Sequence, residues 1–291
     1  MHDNHRNKFY SLFLLAPGTL IYIGLFVLPV LIGLYYSFTN WDFFTAKFIG
    51  FENYTNILTD PDMNIAVKNT VIFAVVTTFF KVLLGTLLAV FLNRELKTKN
   101  LLRTVFYLPA VINTVAIGIL FSAILHPTDG ILNRLLTTIG LGFMAQDWLT
   151  NIHIAIFSIA AIEVWKWTGF TMIIILAGLQ SVSIEYYEAA NIDGASQWKK
   201  FWNITFPLII PAFNNALVGS IIGGLKVFDI VMVTTNGGPG SATSVLNTLI
   251  YKSYGGNYQG EASAGNMILS LLVALVAIST YAVVRKREVE L

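Results

Sequence analysis

Residues 185–211 read EYYEAANIDGASQWKKFWNITFPLIIP, the longest charged, helix-competent stretch between two strongly apolar ones. Its charges are Glu185, Glu188, Asp193, Lys199 and Lys200. The pattern predicts two short helices meeting at Gly194. Glu185 and Glu188 fall in the first turn or two of the first helix, where carboxylates suit the positive end of the dipole. Gly194 ends that helix, because glycine takes the left-handed C-cap conformation at little cost. Ser196 is placed to N-cap a second helix, which runs through Phe201 and Ile204 until Pro207 interrupts it. The product is a rigid elbow held at a membrane surface. On pattern alone, an amphipathic loop lying among lipid headgroups reads the same way.

Outward from the elbow the chain is apolar. Of its 291 residues 55% are hydrophobic and 12% charged, far from the composition of a water-soluble domain. Runs at 13–38, 66–92, 104–125, 152–179, 208–233 and 267–284 each reach or approach the roughly 20 residues that cross the hydrocarbon as a helix. An all-α membrane protein follows, a bundle of six transmembrane helices with both termini on one side. The first run is too long for a cleavable signal and is expected to be retained. Pro17, Pro29 and Pro109 do not veto these helices, because neighbouring helices can satisfy the freed carbonyls. Basic residues set the orientation. Arg6, Lys8, Arg94, Lys97, Lys99, Arg103, Lys199, Lys200, Arg285, Lys286 and Arg287 lie on one side, against Lys47, Arg134 and Lys252 in the opposite loops. The elbow and the N and C termini are therefore expected to be cytoplasmic, in a multi-pass protein of the inner (cytoplasmic) cell membrane.

Five ionisable residues fall inside the spans: Lys81, Glu163, Lys166, Lys226 and Asp229. A charge at the bilayer centre costs about 2.5–3.5 kcal/mol on an insertion scale, so each is expected to face protein, water or an interface. Lys81 has no acid on its own helix and reads as a structural lysine bonded to carbonyls. Glu163 with Lys166, and Lys226 with Asp229, are i, i+3 pairs that can neutralise one another on one helix face. Gly223 and Gly224 thin the helix beside the second pair. Tyr107, Asn113, Trp165, Trp167, Asn214, Asn215 and Phe228 complete a candidate cavity, with hydrogen-bonding groups beside aromatic plates. Trp and Tyr near helix ends also serve as interfacial anchors.

What the chain lacks narrows the classes. With no cysteine, disulfides, thiolate metal sites and cysteine nucleophiles are excluded. His2, His5, His126 and His153 are not paired at i, i+4 for a metal, and there is no serine-centred nucleophile elbow. No GxxxxGK[ST] loop is present to bind ATP. The expectation is a non-catalytic transport protein with no cofactor of its own and no nucleic-acid partner. Its rival is a secondary transporter or channel that uses Glu163 and Asp229 as a proton relay, though no internal inverted repeat is evident.

The spacing of Glu188, Ala189, Ala190, Gly194, Ile204, Phe206 and Pro207 resembles the EAA signature of permease subunits in binding-protein-dependent ABC importers. Phe206 stands where that family usually has leucine, and Ser183 where its AGLQSxP stretch, here 177–183, has proline. The sugar-importing branch is similar along the rest of the chain: FIGFENY at 48–54, Tyr107-Leu-Pro109, GILN at 130–133, Gly237-Gly-Pro239 and Ala262-Ser-Ala264. The resemblance implies a type I importer permease, with an N-terminal helix and first outer loop over 1–65 and a core permease domain over 66–291. Within that core, 183–207 would be the coupling loop, docking through Glu188, Ala189, Ala190, Asp193, Gly194, Ile204 and Pro207. It also implies a substrate path near Ser220, Gly223, Gly224, Lys226 and Asp229, with Trp165 and Asn113 as further candidates. The implied partners are a homologous second permease, two subunits that bind ATP and Mg, an extracytoplasmic solute-binding protein, membrane lipid and a sugar. Glycerol phosphate or another polar solute is the alternative cargo.

Overall fold

The computed structural model describes residues 6–94 and 96–285, and the side chains of 14–94 and 96–284. Lys286 and Arg287, with His2 and His5, lie outside the described residues, as do the side chains of Arg6, Lys8 and Arg285. The described residues form α-helices joined by loops, with one isolated two-residue bridge, Thr39 to Phe48, in place of a sheet. In chain order the helices are α1 (Arg6–Tyr22), α2 (Leu28–Tyr36), α3 (Glu52–Thr59), α4 (Pro61–Leu92), α5 (Lys99–Val111), α6 (Thr114–Ile124) and α7 (Ile131–Thr138). They continue as α8 (Ala155–Ser181), α9 (Ile184–Ile192), α10 (Gln197–Lys200), α11 (Phe206–Leu225), α12 (Asp229–Thr234), α13 (Leu246–Gly255) and α14 (Gln259–Arg285).

Five helical runs are long and apolar enough to cross a membrane, and a sixth if the bent pair α5–α6 counts as one. That bend corrects the sequence reading. The run at 104–125 is two helices at 94°, broken at Ile112 and Asn113. Pro109 lies near the end of the first, where its missing N–H and its ring already weaken the backbone ladder. The run at 208–233 is likewise two helices, ending at Leu225 and restarting at Asp229. Lys226 and Asp229 therefore do not share a helix face, and the expected pair is not formed.

Pro207 does not interrupt its helix. A π-helical turn at Phe201–Thr205 joins α10 to α11, so that Gln197–Leu225 is one helical run. The first span uses the same device: a π turn at Ile23–Val27 precedes Pro29 as the other precedes Pro207. In each case the N–H just before the proline bonds five residues back, Leu28 to Ile23 and Phe206 to Phe201. Widening the turn moves aside the carbonyl that the proline ring would otherwise strike. Hydrophobic stretches with proline thus remain helical without the break that a regular α-turn would suffer.

Two compact units divide the chain. One comprises residues up to 60 with 250–268. In it the Asn53 side chain donates to the carbonyls of Ser37 (2.9 Å) and Thr39 (2.7 Å), and the Tyr54 hydroxyl meets that of Ser37 at 2.7 Å. Ala262 and Ala264 are buried, and Gly260 lies so close to the Thr39 backbone that a Cβ would overlap it. The FIGFENY and Ala-Ser-Ala residues are therefore clamps and close-packing points.

The second unit, 61–249 with residues from 269 on, is built around α4, α8 and α11. One buried cluster includes Phe73, Ile117, Ile159 and Ile230, and another Leu92, Met172, Ile175 and Ile209. Lipid gives helices no hydrophobic reason to associate, so packing depends on close approach of small residues. Gly224 approaches Ala74 so closely that a Cβ would lie 2.7 Å from its Cα, and Gly178 meets Ala212 in the same way. The remaining motifs tie loops here too. Asn133 donates to the Pro127 and Gln146 carbonyls and accepts from Trp148, while Asn69 donates to Ala242 and Ser244 just after the Gly-Gly-Pro turn.

Candidate functional site

The elbow is built from its own neighbours in sequence. Ser183 N-caps α9, its hydroxyl accepting from the Glu185 N–H at 3.3 Å; serine thus supplies a cap where the family pattern has proline. At the other end Ala195 N–H bonds Ala190 O (2.9 Å) and Gly194 N–H bonds Asn191 O (3.1 Å), a Schellman closure with Gly194 at φ +71°. Ser196 caps α10 through the Lys199 N–H. Two further bonds brace α9 against the run that follows. The buried Lys200 ammonium donates to Asn191 Oδ1, and the Tyr187 hydroxyl meets Thr205 Oγ1 at 3.0 Å.

Glu188, Ala189, Asp193 and Gly194 are exposed, Ala190 is buried beneath them, and Ile204 and Pro207 are half-buried. The coupling candidates thus occur together on one small feature. Ile192, 88% exposed, and Trp198, 71% exposed, add an apolar surface that the sequence reading did not single out. Nothing lies within 4 Å of where a Gly194 Cβ would stand, so glycine is required there for its dihedral and not for space.

The same helical run leads from the elbow to a cavity of about 310 Å³. Ser220, Gly223, Lys226 and Asp229 line it, facing Lys81 of α4 and Glu163 of α8, with Trp167, Phe170 and Phe228 as aromatic walls. Lys81 and Glu163 are buried and interact electrostatically across it, and Glu163 also feels Lys166 and Asp229. Their side chains stay beyond ion-pair distance, unlike the exposed Arg134–Asp129 pair at 2.9 Å. Six sequence candidates, Tyr107, Asn113, Trp165, Asn214, Asn215 and Gly224, do not line it. Gly224 packs on α4, Trp165 lines a separate apolar groove of about 940 Å³, and Asn113 is the N-cap of α6, accepting from Val115 N–H at 2.8 Å. Thr114, beside Asn113, lines the cavity instead.

Both broken spans open beside this cavity, and a side chain from another element meets each break. Lys226 O and Val227 O accept from Asn247 Nδ2 at 2.9 and 3.3 Å. At the other break Lys166 donates to carbonyls of 109–112. Lys166 is thus bonded to carbonyls, whereas Lys81, expected in that role, lines the cavity. Glu163 and Lys166 do not simply neutralise each other: the first turns to the cavity, the second to backbone. Sequence reading missed Thr114, Phe170 and Asn247. An Asn-Thr pair beginning four residues after Pro109 was the available signal for a new helix start.

Comparison with known proteins identifies the class. Residues 81–289 match the family of binding-protein-dependent transport system inner membrane components, and the chain belongs to that family. A probable ABC transporter permease protein of Pyrococcus horikoshii is 34% identical over 94% of each chain. The trehalose/maltose transport system permease protein MalF of Thermococcus litoralis is 32% identical, over 89% of this chain and 88% of that one. Among solved structures, a bacterial ABC transporter involved in the import of the acidic polysaccharide alginate superposes with a TM-score of 0.83 at 25% identity, covering 96% of both chains. The fold is that of a type I ABC importer permease, and the protein is a multi-pass membrane permease of that class.

Proposed function

We propose that this chain is the membrane-spanning subunit of a sugar importer in the cytoplasmic membrane, with both termini and the elbow on the cytoplasmic side. It pairs with a homologous permease, receives cargo from an extracytoplasmic solute-binding protein and is driven by two ATPase subunits that bind ATP and Mg. ATP hydrolysis is the partners' chemistry; this chain contributes none. The observation that carries the reading is continuity. An exposed docking helix, α9, is braced to a helical run that reaches without interruption from Gln197 to the charged cavity. A force on Glu188, Asp193 or Ile192 is thereby delivered to Ser220, Gly223 and Lys226, where a polar solute meets hydroxyl, charged and aromatic groups. The names of the relatives support a sugar as that solute.

Uptake of labelled oligosaccharide into vesicles holding the full complex tests it. ATP-driven uptake that stops when the ATPase subunits are omitted and persists with an uncoupler is expected. Uptake abolished by the uncoupler but independent of the ATPases would return the protein to the secondary transporters.

A further inference from the structure

The break between α5 and α6 leaves the carbonyls of Ala110 and Ile112 with no backbone partner, while Pro109 O still accepts from the Ile112 N–H at 3.3 Å; within a membrane such groups need partners from the protein. A single side chain takes them up. The Lys166 ammonium donates to Ile112 O at 2.6 Å, with Ala110 O at 3.4 Å and Pro109 O at 3.5 Å. An ammonium carries three N–H donors, and three carbonyls at a helix end present the negative pole of the dipole. Lys166 is only 2% exposed, so neither water nor lipid competes for it. Three residues further along α8, Gly169 meets the Phe106 carbonyl so closely that a Cβ would overlap it. The last turns of α5 are therefore gripped by α8 at two points, one steric and one electrostatic. Directly beyond the gripped carbonyls come Asn113, which starts α6, and Thr114, which lines the cavity.

The geometry points to Lys166 as a positioning residue of the translocation path. Its ammonium holds the α5–α6 break open at 94° and so sets where Thr114 stands in the cavity wall. It touches no cargo, and its part in transport rests on the cavity being the sugar path. Glu163, one turn earlier on α8, faces that cavity. Residues three apart on one helix thus divide the work, Glu163 lining the wall and Lys166 fixing the segment opposite.

The chain contains no cysteine, so Thr114→Cys gives a single reporter at the cavity. Its rate of labelling by a small, charged, membrane-impermeant thiol reagent is measured in the assembled complex, with uptake measured in parallel on the parent chain. Lys166→Met keeps the length and apolar volume but removes the donors. Its labelling rate is expected to change about tenfold or more, the loss matching removal of one charge-assisted hydrogen bond, while Lys166→Arg restores much of it. Labelling at the wild-type rate in Lys166→Met overturns the assignment, whatever its uptake. If the Met variant does not reach the membrane, Lys166→Leu, which likewise removes every donor, replaces it; wild-type labelling there overturns the assignment equally. Altered labelling with unaltered uptake supports Lys166 as the clasp of the break and removes the cavity from the sugar path, so the two ideas fail separately.

Discussion

The elbow and the cavity lie on one helical run and are assembled by opposite means. At the elbow the polar backbone groups are satisfied by residues two to five positions away: Ser183 with Glu185, Ser196 with Lys199, Ala195 with Ala190. Of its outward side chains Ile192 is 88% exposed, and Trp198 touches the edge of Trp202 four residues on. At the cavity the partners come from distant segments. Lys166 reaches a carbonyl 54 residues before it, and Asn247 one 21 residues before it. The elbow is thus a local structure with an exposed face, whereas the cavity is a convergence that exists once α4, α8 and α11 have packed. Substitutions should separate the two, the cavity responding in stability and the elbow in coupling.

The largest effect is expected from Glu163→Leu, which leaves Lys81, 3% exposed, facing no opposite charge on α8. Leaving one partner of a formed buried ion pair alone costs about 3–5 kcal/mol, an upper bound here because Lys81 and Glu163 are not in ion-pair contact and Asp229 still lines the cavity. Thermal unfolding of the detergent-solubilised chain should show it, and adding Lys81→Met should recover most of the loss. A single variant as stable as wild type would show the cavity wet enough to solvate a lone ammonium. Gly194→Val comes next. A β-branched residue at φ +71° costs about 1–3 kcal/mol of local strain, enough to distort the Schellman closure while the spans still insert. Uptake should fall more than about tenfold with that strain, and Gly194→Asn, which tolerates the left-handed region, should retain most of it. Equal uptake by both variants would separate coupling from the closure.

Lys226→Met with Asp229→Leu tests the cavity where its residues are exposed. They do not pair, so joint replacement removes two independent cavity groups. The complex should assemble with basal ATPase activity intact and lose about tenfold in uptake, as for one hydrogen-bonding contact to cargo or more. Normal uptake would return both residues to structure. Glu188→Ala is milder in the isolated chain, where dipole stabilisation of α9 is worth under about 1 kcal/mol. In the complex it should uncouple hydrolysis from uptake, seen as ATP consumed per sugar moved; an unchanged ratio would relocate the docking contact, with Ile192 and Trp198 the next surfaces to test. Smallest is the loop that holds Asp42. N–H groups of Thr45 and Phe44 hold the Asp42 carboxyl below its ordinary range. A depressed folded pKa contributes stability that is present above the unfolded value and is lost as pH falls through the folded one. The turn should therefore persist down to about pH 4 and loosen below it. Trp41, stacked on Tyr36, reports this as the fluorescence lost in Trp41→Phe, and Asp42→Asn should abolish the acid transition.

Legibility followed range. Gly194 at positive φ and the Ser196 cap were readable because capping depends on residues within a few positions. The apolar runs were readable because lipid imposes length and composition on any crossing helix. The pairing of charges was not. Lys226 and Asp229 have i, i+3 spacing, yet the helix ends between them, and Glu163 and Lys166 have the same spacing yet turn to different elements. Spacing predicts contact where a helix continues and where no better partner stands opposite.

The sequence by itself determined that this chain lives in lipid, where its apolar runs lie, that Gly194 and Ser196 cap the elbow and, through spaced motifs, its family. Those properties depend on composition, periodicity and short-range hydrogen bonding, each complete within a stretch of chain. Only the tertiary structure decided that two spans break, that prolines 29 and 207 are absorbed by π turns, that Lys81 faces the cavity and Lys166 the backbone. The physical reason is solvation. In a membrane every orphan carbonyl and every charge must find a partner within the protein, and which partner it finds depends on what packing brings opposite.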